Sequence, residues 1–165
     1  MKVKIHINKG ITIDNIEINL GDNTEDIKKK DIDFEEFEGA LYLFDSTLAI
    51  FFENNRVEYI ELSNNSTTPY SPILENVDVF SEKRQSVKDF LEKLNCAPLR
   101  SDDLGDIYAD NIGITIDAGI TQADIDECIQ DAKAEGIYEE MKDSIEQDIY
   151  RMEHIEILGI SKVTA

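Results

Sequence analysis

The chain has 165 residues, 41% of them apolar, and its 36 acidic side chains exceed its 16 basic ones to give a formal net charge of −20. This apolar content is enough for a sizeable core and argues against global disorder. The negative charge repels nucleic acid and anionic membranes and attracts basic proteins or cations. We therefore expect one domain, residues 1–165, that binds neither nucleic acid nor membrane directly.

The cysteines and the N-terminal residues indicate the compartment. Cys96 and Cys128 lie far apart and outside any Cys-x-x-Cys pair, and a chain of this length needs no disulfide to fold. We therefore predict that both thiols are reduced. The N-terminus alternates apolar and polar residues and lacks the apolar stretch of a signal peptide or a membrane span. These features predict a cytoplasmic protein.

The first forty residues are predicted to begin with β-structure. Residues 3–7 alternate apolar and polar side chains, which predicts a half-buried strand. Residues 11–18 contain four isoleucines whose spacing slips at Asp14, which predicts a bulge or a turn there. Thr24 is predicted to cap a short helix that ends at Lys30. Residues 31–38 are acidic and are predicted to form a loop anchored by two phenylalanines.

Three strand-like runs follow, at residues 40–44, 47–53 and 56–62. Short polar turn pairs separate them, so they are predicted to form an antiparallel meander. Phe51 and Phe52 place an aromatic ring on each face of the middle strand. We therefore expect helices to cover one face of the meander and other segments to cover part of the second face.

The second half of the chain is predicted to be richer in helix. After a loop at residues 63–72, Ser81 is predicted to cap a helix with an apolar stripe centred on Phe90 and Leu91. Residues 107–116 are predicted to form one kinked strand. Thr121 and Asp124 have the spacing of a capping box, which predicts the start of another helix.

Gly136 is predicted to end or kink that helix. Ile137, Met141 and Ile145 continue an apolar stripe beyond it, and residues 154–161 are predicted to form a final strand. Together these patterns predict an α+β fold. It is a mostly antiparallel twisted sheet, formed around a meander, with two to three packed helices concentrated in the C-terminal half.

The sequence contains no recognisable catalytic motif. It lacks a Gly-rich phosphate loop, a nucleophile elbow and a His-Glu-x-x-His helix, and its only histidines, His6 and His154, are predicted to lie on the surface. Acid-x-lysine fragments that some metal-dependent nucleases contain occur at residues 131–133 and 140–142, but both lie in predicted helices. We expect no catalytic residue, cofactor or metal. The alternative is a small metal-dependent hydrolase or nuclease that gathers carboxylates from several elements.

Acidic residues are concentrated between residues 101 and 156, where 17 acids and 3 bases give a net charge of −14. Like charges four residues apart cost a few tenths of a kcal/mol in an isolated helix, and nothing in the local fold requires that cost. The pattern favours a face that meets a basic partner, although a solvated face is the alternative interpretation. The predicted partner-binding residues are Asp102, Asp103, Asp106, Asp110, Asp124, Asp126, Glu127, Asp131, Glu135, Glu139 and Glu140.

Two segments resemble a known class of proteins. Residues 41–62, with their Phe-rich hairpin and the strand RVEYIELS, resemble the central meander of several bacterial toxin immunity proteins. The segment DVFSEKRQSVKDFLEKLN is similar to the loop and helix that follow it, so the resemblance covers residues 40–116. It implies a non-catalytic immunity protein, of the contact-dependent inhibition or polymorphic toxin type, that neutralises one cognate toxin domain, which we expect to be a basic nuclease.

An acidic inhibitor can cover the basic groove of such a nuclease and associate quickly through electrostatic attraction. A different class of function, a sheet-based binding or assembly module, fits the apolar residues on both faces of the strands. The alternative to the acidic face as the binding surface is that the partner adds a strand to a sheet edge near residues 56–62, with the acids only keeping the protein soluble.

Overall fold

The computed structural model describes residues 1–163. Within that range the strands are β1 (Lys2–His6), β2 (Gly10–Ile13), β3 (Ile16–Asn19), β4 (Glu35–Phe37), β5 (Ala40–Leu43), β6 (Leu48–Glu53), β7 (Arg56–Ser63), β8 (Ser71–Leu74), β9 (Val77–Asp78), β10 (Arg100–Ser101), β11 (Ile107–Ala109), β12 (Ile114–Ile116) and β13 (Ile157–Ser161). The helices are α1 (Thr24–Lys28), α2 (Arg84–Asn95), α3 (Gln122–Ala134) and α4 (Tyr138–Glu153). The predicted α+β class is confirmed, including the concentration of helices in the C-terminal half.

A five-stranded sheet has the order β3-β2-β1-β8-β9. The alternation predicted for β1 is confirmed, because Val3 and Ile5 are buried while Lys2 and Lys4 are exposed. The turn predicted at Asp14 joins β2 to β3. Strand β8 begins at Ser71, so the loop predicted at residues 63–72 ends two residues early. Strand β8 pairs with β1 in the parallel direction. All other strand pairs in this sheet are antiparallel.

The start of α1 differs from the prediction by one residue. Asn23, rather than Thr24, is the capping residue, and its side-chain oxygen accepts a hydrogen bond from the Glu25 amide at 2.9 Å. The extended backbone at Asn23 allows its short side chain to reach that amide. Helix α1 ends at Lys28 instead of Lys30, and it buries Ile27 in the core.

An eight-stranded sheet has the order β10-β11-β12-β13-β7-β6-β5-β4, with every pair antiparallel. The predicted meander is confirmed as β5, β6 and β7. Residues 31–38, predicted as a loop, contain the edge strand β4. Residues 107–116 form the hairpin β11–β12 rather than one kinked strand. The chain reverses direction in the turn before β12, where Gly113 has a φ of 65°.

The predicted sheet edge at residues 56–62 is wrong. Strand β7 pairs with β6 on one side and with β13 on the other, so it is a central strand of the eight-stranded sheet. Apolar side chains on both faces of a strand are typical of such a central position. The edges of this sheet are β4 and β10.

Helix α2 begins three residues after the predicted cap. Ser81 lies in a turn, where its hydroxyl donates to Asp78 Oδ2 at 2.6 Å, and Lys83 precedes the helix without a side-chain cap. The predicted apolar stripe is confirmed, since Val87 and Leu91 are buried and Phe90 packs partly buried against the same core.

Helices α3 and α4 lie between β12 and β13 in the chain and contact each other, and we call this pair the helical hairpin. The predicted capping box is present, since the side chains of Thr121 and Asp124 each accept a hydrogen bond from the other's backbone amide. Gly136, which was predicted to end or kink the helix, lies two residues after the end of α3 and has a φ of 72°.

The apolar faces of both sheets, α1 and α2 contribute to one core. The buried residues of the helical hairpin, Ile125, Ala132 and Ile145, lie outside that core. The two helices therefore contribute no buried side chain to that core.

Candidate partner-binding surface

The helical hairpin carries most of its charge without compensation. Residues 122–153 contain 11 acidic and 3 basic side chains. The amino groups of Lys133 and Lys142 lie over the Tyr138 ring, 5.0 and 5.6 Å from its centre, and Lys142 also pairs with Glu139 at 2.7 Å. Arg151 pairs with Asp148 and Glu156. Every basic side chain of the hairpin is therefore engaged close to its own position.

One row of carboxylates follows the exposed side of α3. Glu127, Asp131 and Glu135 are spaced four residues apart, so they lie on one side of the helix, away from buried Ile125 and Ala132. All three side chains are exposed. Within residues 1–163 none of the three is in an ion pair, so this row presents its full negative charge to solvent.

Three of the four predicted aspartates in residues 102–110 stabilise local structure instead. Asp102 accepts hydrogen bonds from the Asp106 amide and from the Tyr108 hydroxyl, each at 2.9 Å. The bond from Tyr108 is the largest reason why the pKa of Asp102 is lowered. Asp106 accepts from the Ala118 amide at 2.8 Å. The Arg100 guanidinium bonds both oxygens of Asp110 and lowers its pKa.

The predicted residues of the helical hairpin divide in the same way. Asp124 belongs to the capping box, where the Thr121 amide is the main cause that lowers its pKa. Asp126 accepts from the Gln122 side chain at 2.9 Å, and Glu139 pairs with Lys142. Of the predicted residues, those that are exposed and in neither an ion pair nor a side-chain hydrogen bond of the described chain are Asp103, Glu127, Asp131, Glu135 and Glu140. The structure thus leaves the α3 row and Glu140 exposed, and it assigns Asp102, Asp106 and Asp110 to local hydrogen bonds and an ion pair.

Two partly buried carboxylates on the eight-stranded sheet were not identified from sequence. Glu61 lies on the face of β7 opposite to buried Ile60, and its pKa is raised, first by burial and then by the charge of Asp117. Burial also raises the pKa of Asp117, although Arg84 approaches that carboxylate to 3.4 Å. Only the register between distant strands places these groups together, so no local pattern marks them.

The described residues do not assemble a metal site. Among residues 1–163 no three His, Cys, Asp or Glu side chains are grouped so as to hold a metal ion. His6 bonds the Thr12 hydroxyl at 2.8 Å, and the His154 ring stacks on Tyr150 with 3.9 Å between ring centres. Neither histidine therefore belongs to a cluster of ligands within this part of the chain.

A second surface, at the edge strand β4, was also missed. Phe37 on this strand is 64% exposed, and a groove of about 620 Å³ lies beside it, between residues 32–35 and the turn at residues 44–46. Three aromatic rings line the groove, those of Phe34, Tyr42 and Phe44. The mixture of acids and phenylalanines in DFEEFE, residues 33–38, was the available signal for this surface. Because residues 31–38 were predicted to be a loop, the sequence did not indicate that they contain an edge strand.

Comparisons with protein-family models, with curated proteins and with solved structures found no match to this chain. None of the helices within residues 1–163 combines the length and the apolar character that crossing a membrane would require.

Proposed function

We propose that this chain is a non-catalytic immunity protein that binds and neutralises a basic toxin domain. The toxin domain is a nuclease, and binding blocks its activity. The observation that carries the proposal is the uncompensated acidic row of α3, formed by Glu127, Asp131 and Glu135. A nuclease needs a basic surface for its nucleic acid, and an acidic surface is complementary to it. The resemblance of residues 40–116 to immunity proteins supports the same function.

The helical hairpin is suited to this role because its charge and its packing are separate. Its buried residues, Ile125, Ala132 and Ile145, differ from the exposed residues that carry its charge, so the exposed residues are free to serve binding. Exposed charges on such a surface accelerate encounter with a basic partner, whereas contacts buried in the complex set its lifetime. The proposal places the protein in the cytoplasm, where the substrate of a nuclease toxin lies.

The experiment compares two double charge reversals. Glu127→Lys with Asp131→Lys changes the proposed surface, and Glu25→Lys with Asp26→Lys makes the same change of charge on exposed residues of α1. The partner tested is the product of the neighbouring gene, which the proposal expects to carry a basic toxin domain, and the association rate is measured by surface plasmon resonance at several salt concentrations. We expect the α3 reversal to slow association by about tenfold or more, with a smaller effect from the α1 reversal.

Salt should slow association of the unmodified protein steeply, because exposed charges are screened beyond about 8–10 Å near physiological ionic strength. Equal binding by the unmodified protein and the α3 reversal would rule out the hairpin as the binding surface. A failure of the toxin domain to bind at all would rule out immunity function.

Non-catalysis is tested separately. The purified protein should leave DNA, RNA and simple phosphate and carboxylate esters intact in the presence of magnesium, manganese or zinc. Turnover that a single carboxylate-to-amide substitution abolishes would instead establish the carboxylate-dependent hydrolase.

A further inference from the structure

Strand β4 leaves one side of its backbone unpaired within residues 1–163. It pairs with β5 through Glu35–Tyr42, Glu36–Leu41 and Phe37–Ala40, and it is the last strand of the eight-stranded sheet. A two-residue turn, Glu38 and Gly39, joins the two strands, and both residues have positive φ angles, 49° and 80°. Turns of this type match the twist of a hairpin and hold its strands firmly. The edge is therefore a fixed template for an additional strand.

The groove beside β4 combines aromatic and acidic side chains. Its aromatic walls are the half-buried rings of Phe34, Tyr42 and Phe44, and its rim carries the exposed carboxylates of Asp33, Glu35 and Asp45. A smaller cavity that also contains Phe37 shares Glu35, Tyr42 and Ser46 with it, so the groove continues along the strand.

The charge around the groove has one sign. Residues 31–46 contain 6 acidic side chains and no basic one. Lys28 from α1 pairs with Glu36 at 3.0 Å, whereas the three carboxylates on the groove rim are in no ion pair of the described chain. Aromatic faces attract ammonium and guanidinium groups, and carboxylates bond them. The groove is thus complementary to lysine and arginine side chains.

We propose that β4 and this groove bind an extended protein segment that carries arginine or lysine side chains. The segment adds a strand to β4 through main-chain hydrogen bonds, and alternate basic side chains enter the groove. Phe37 lies on the same face of β4 as Glu35, so its exposed ring contacts the stems of the basic side chains. A second copy of this chain is a poor occupant, because pairing two β4 strands would bring two acidic edges together. The inference concerns a surface separate from the helical hairpin, and it holds for basic segments of any origin.

The test uses a short, capped peptide in which arginine alternates with valine, and it measures binding by isothermal titration calorimetry. The triple variant Asp33→Asn, Glu35→Gln, Asp45→Asn removes the charges of the groove rim with little change of shape. Its matched control, Glu127→Gln, Asp131→Asn, Glu135→Gln, removes the same charge from the helical hairpin. We expect the groove variant to bind about tenfold more weakly or worse and the control to bind within about twofold of the unmodified protein. Equal losses in both variants would show general electrostatic attraction and overturn the proposal.

Two further measurements use the unmodified protein, so they do not depend on the folding of a variant. The peptide should slow amide hydrogen exchange at residues 35–37, and a peptide N-methylated on alternate residues should not. Equal binding of the methylated peptide, or unchanged exchange in β4, would exclude strand addition. If the protein alone is a dimer in which these amides are already protected, a second copy occupies the edge and the proposal is wrong.

Discussion

The Tyr59 side chain lies across Gly159, and a Cβ atom on Gly159 would come within 2.1 Å of the Tyr59 phenolic oxygen. Gly159 on β13 pairs with Glu61 on one side and with Thr115 on the other. The absence of a side chain at this position lets the tyrosine cover the centre of the sheet. The sheet therefore requires a glycine in a buried strand, where glycine is normally unfavourable.

Gly159→Ala is expected to lower the free energy of unfolding by about 1–3 kcal/mol, because two ring carbons of Tyr59 would also lie within 2.6 Å of the new methyl group. Urea denaturation measures this change. The same substitution should cost less in a Tyr59→Val background, where the ring is gone. An equal cost in both backgrounds would show that Tyr59 is not what excludes a side chain there.

Leu91→Ala should lower the free energy of unfolding by about 2–5 kcal/mol, because Leu91 is only 1% exposed and lies in the main core. The matched control is Glu92→Ala, the next residue of α2, whose side chain is exposed. The control should stay within about 0.5 kcal/mol. A Leu91→Ala effect as small as that of the control would mean that α2 does not pack as described.

Glu61 should make stability depend on pH. Burial raises its pKa above the value of 4.5 for a free side chain, so the folded protein binds this proton more tightly than the unfolded chain. The protonated Glu61 side chain therefore stabilises the folded state fully below pH 4.5, and this contribution is lost as the pH rises through the folded-state pKa. Glu61→Gln cannot ionise, so we expect it to become more stable than the unmodified protein as pH rises above this range. Thermal denaturation across pH measures the difference.

Asp102→Asn is the control of opposite sign. The Tyr108 hydroxyl lowers the pKa of Asp102 below the usual 3.8, so this carboxylate stabilises the fold above pH 3.8 and loses that effect as pH falls through its lowered pKa. The variant should therefore be less stable than the unmodified protein at neutral pH, with a difference that shrinks in acid. Parallel pH profiles for the two variants would contradict these assignments.

Reducing agent should leave the melting temperature unchanged. Cys96 and Cys128 are both free thiols, and Cys96 lies exposed at the end of α2 while Cys128 is half-buried on α3. Differential scanning fluorimetry with and without dithiothreitol tests this. A large decrease on reduction would reveal a disulfide and an oxidising compartment for the protein.

The parts of the fold that follow from local pattern were predictable from sequence. Alternation in β1, the meander from Ala40 to Ser63, the stripe of α2 and the capping box at Thr121 each depend on residues within a few positions of one another. Such signals act on the chain before any distant contact forms.

The remaining features depend on distant pairing. No local pattern reveals that β8 lies parallel to β1, or that β13 makes β7 a central strand. The candidate site shows the same limit. Asp106 and Asp131 are alike in sequence, but the fold places the Ala118 amide against Asp106 and leaves Asp131 exposed.

The position of β13 has a consequence for synthesis on the ribosome. Strands β4–β7 and β10–β12 form two halves of the eight-stranded sheet, and among residues 1–163 it is β13 that joins them. Until residues 157–161 have emerged, β7 exposes an edge that becomes paired only when Ser63 meets Ile157 across a long stretch of sequence. Closure over such a separation is slow, and an open edge invites pairing with other chains. Aggregation of chains that have not yet formed β13 is therefore the hazard that this topology creates, and pairing of β13 with β7 ends it.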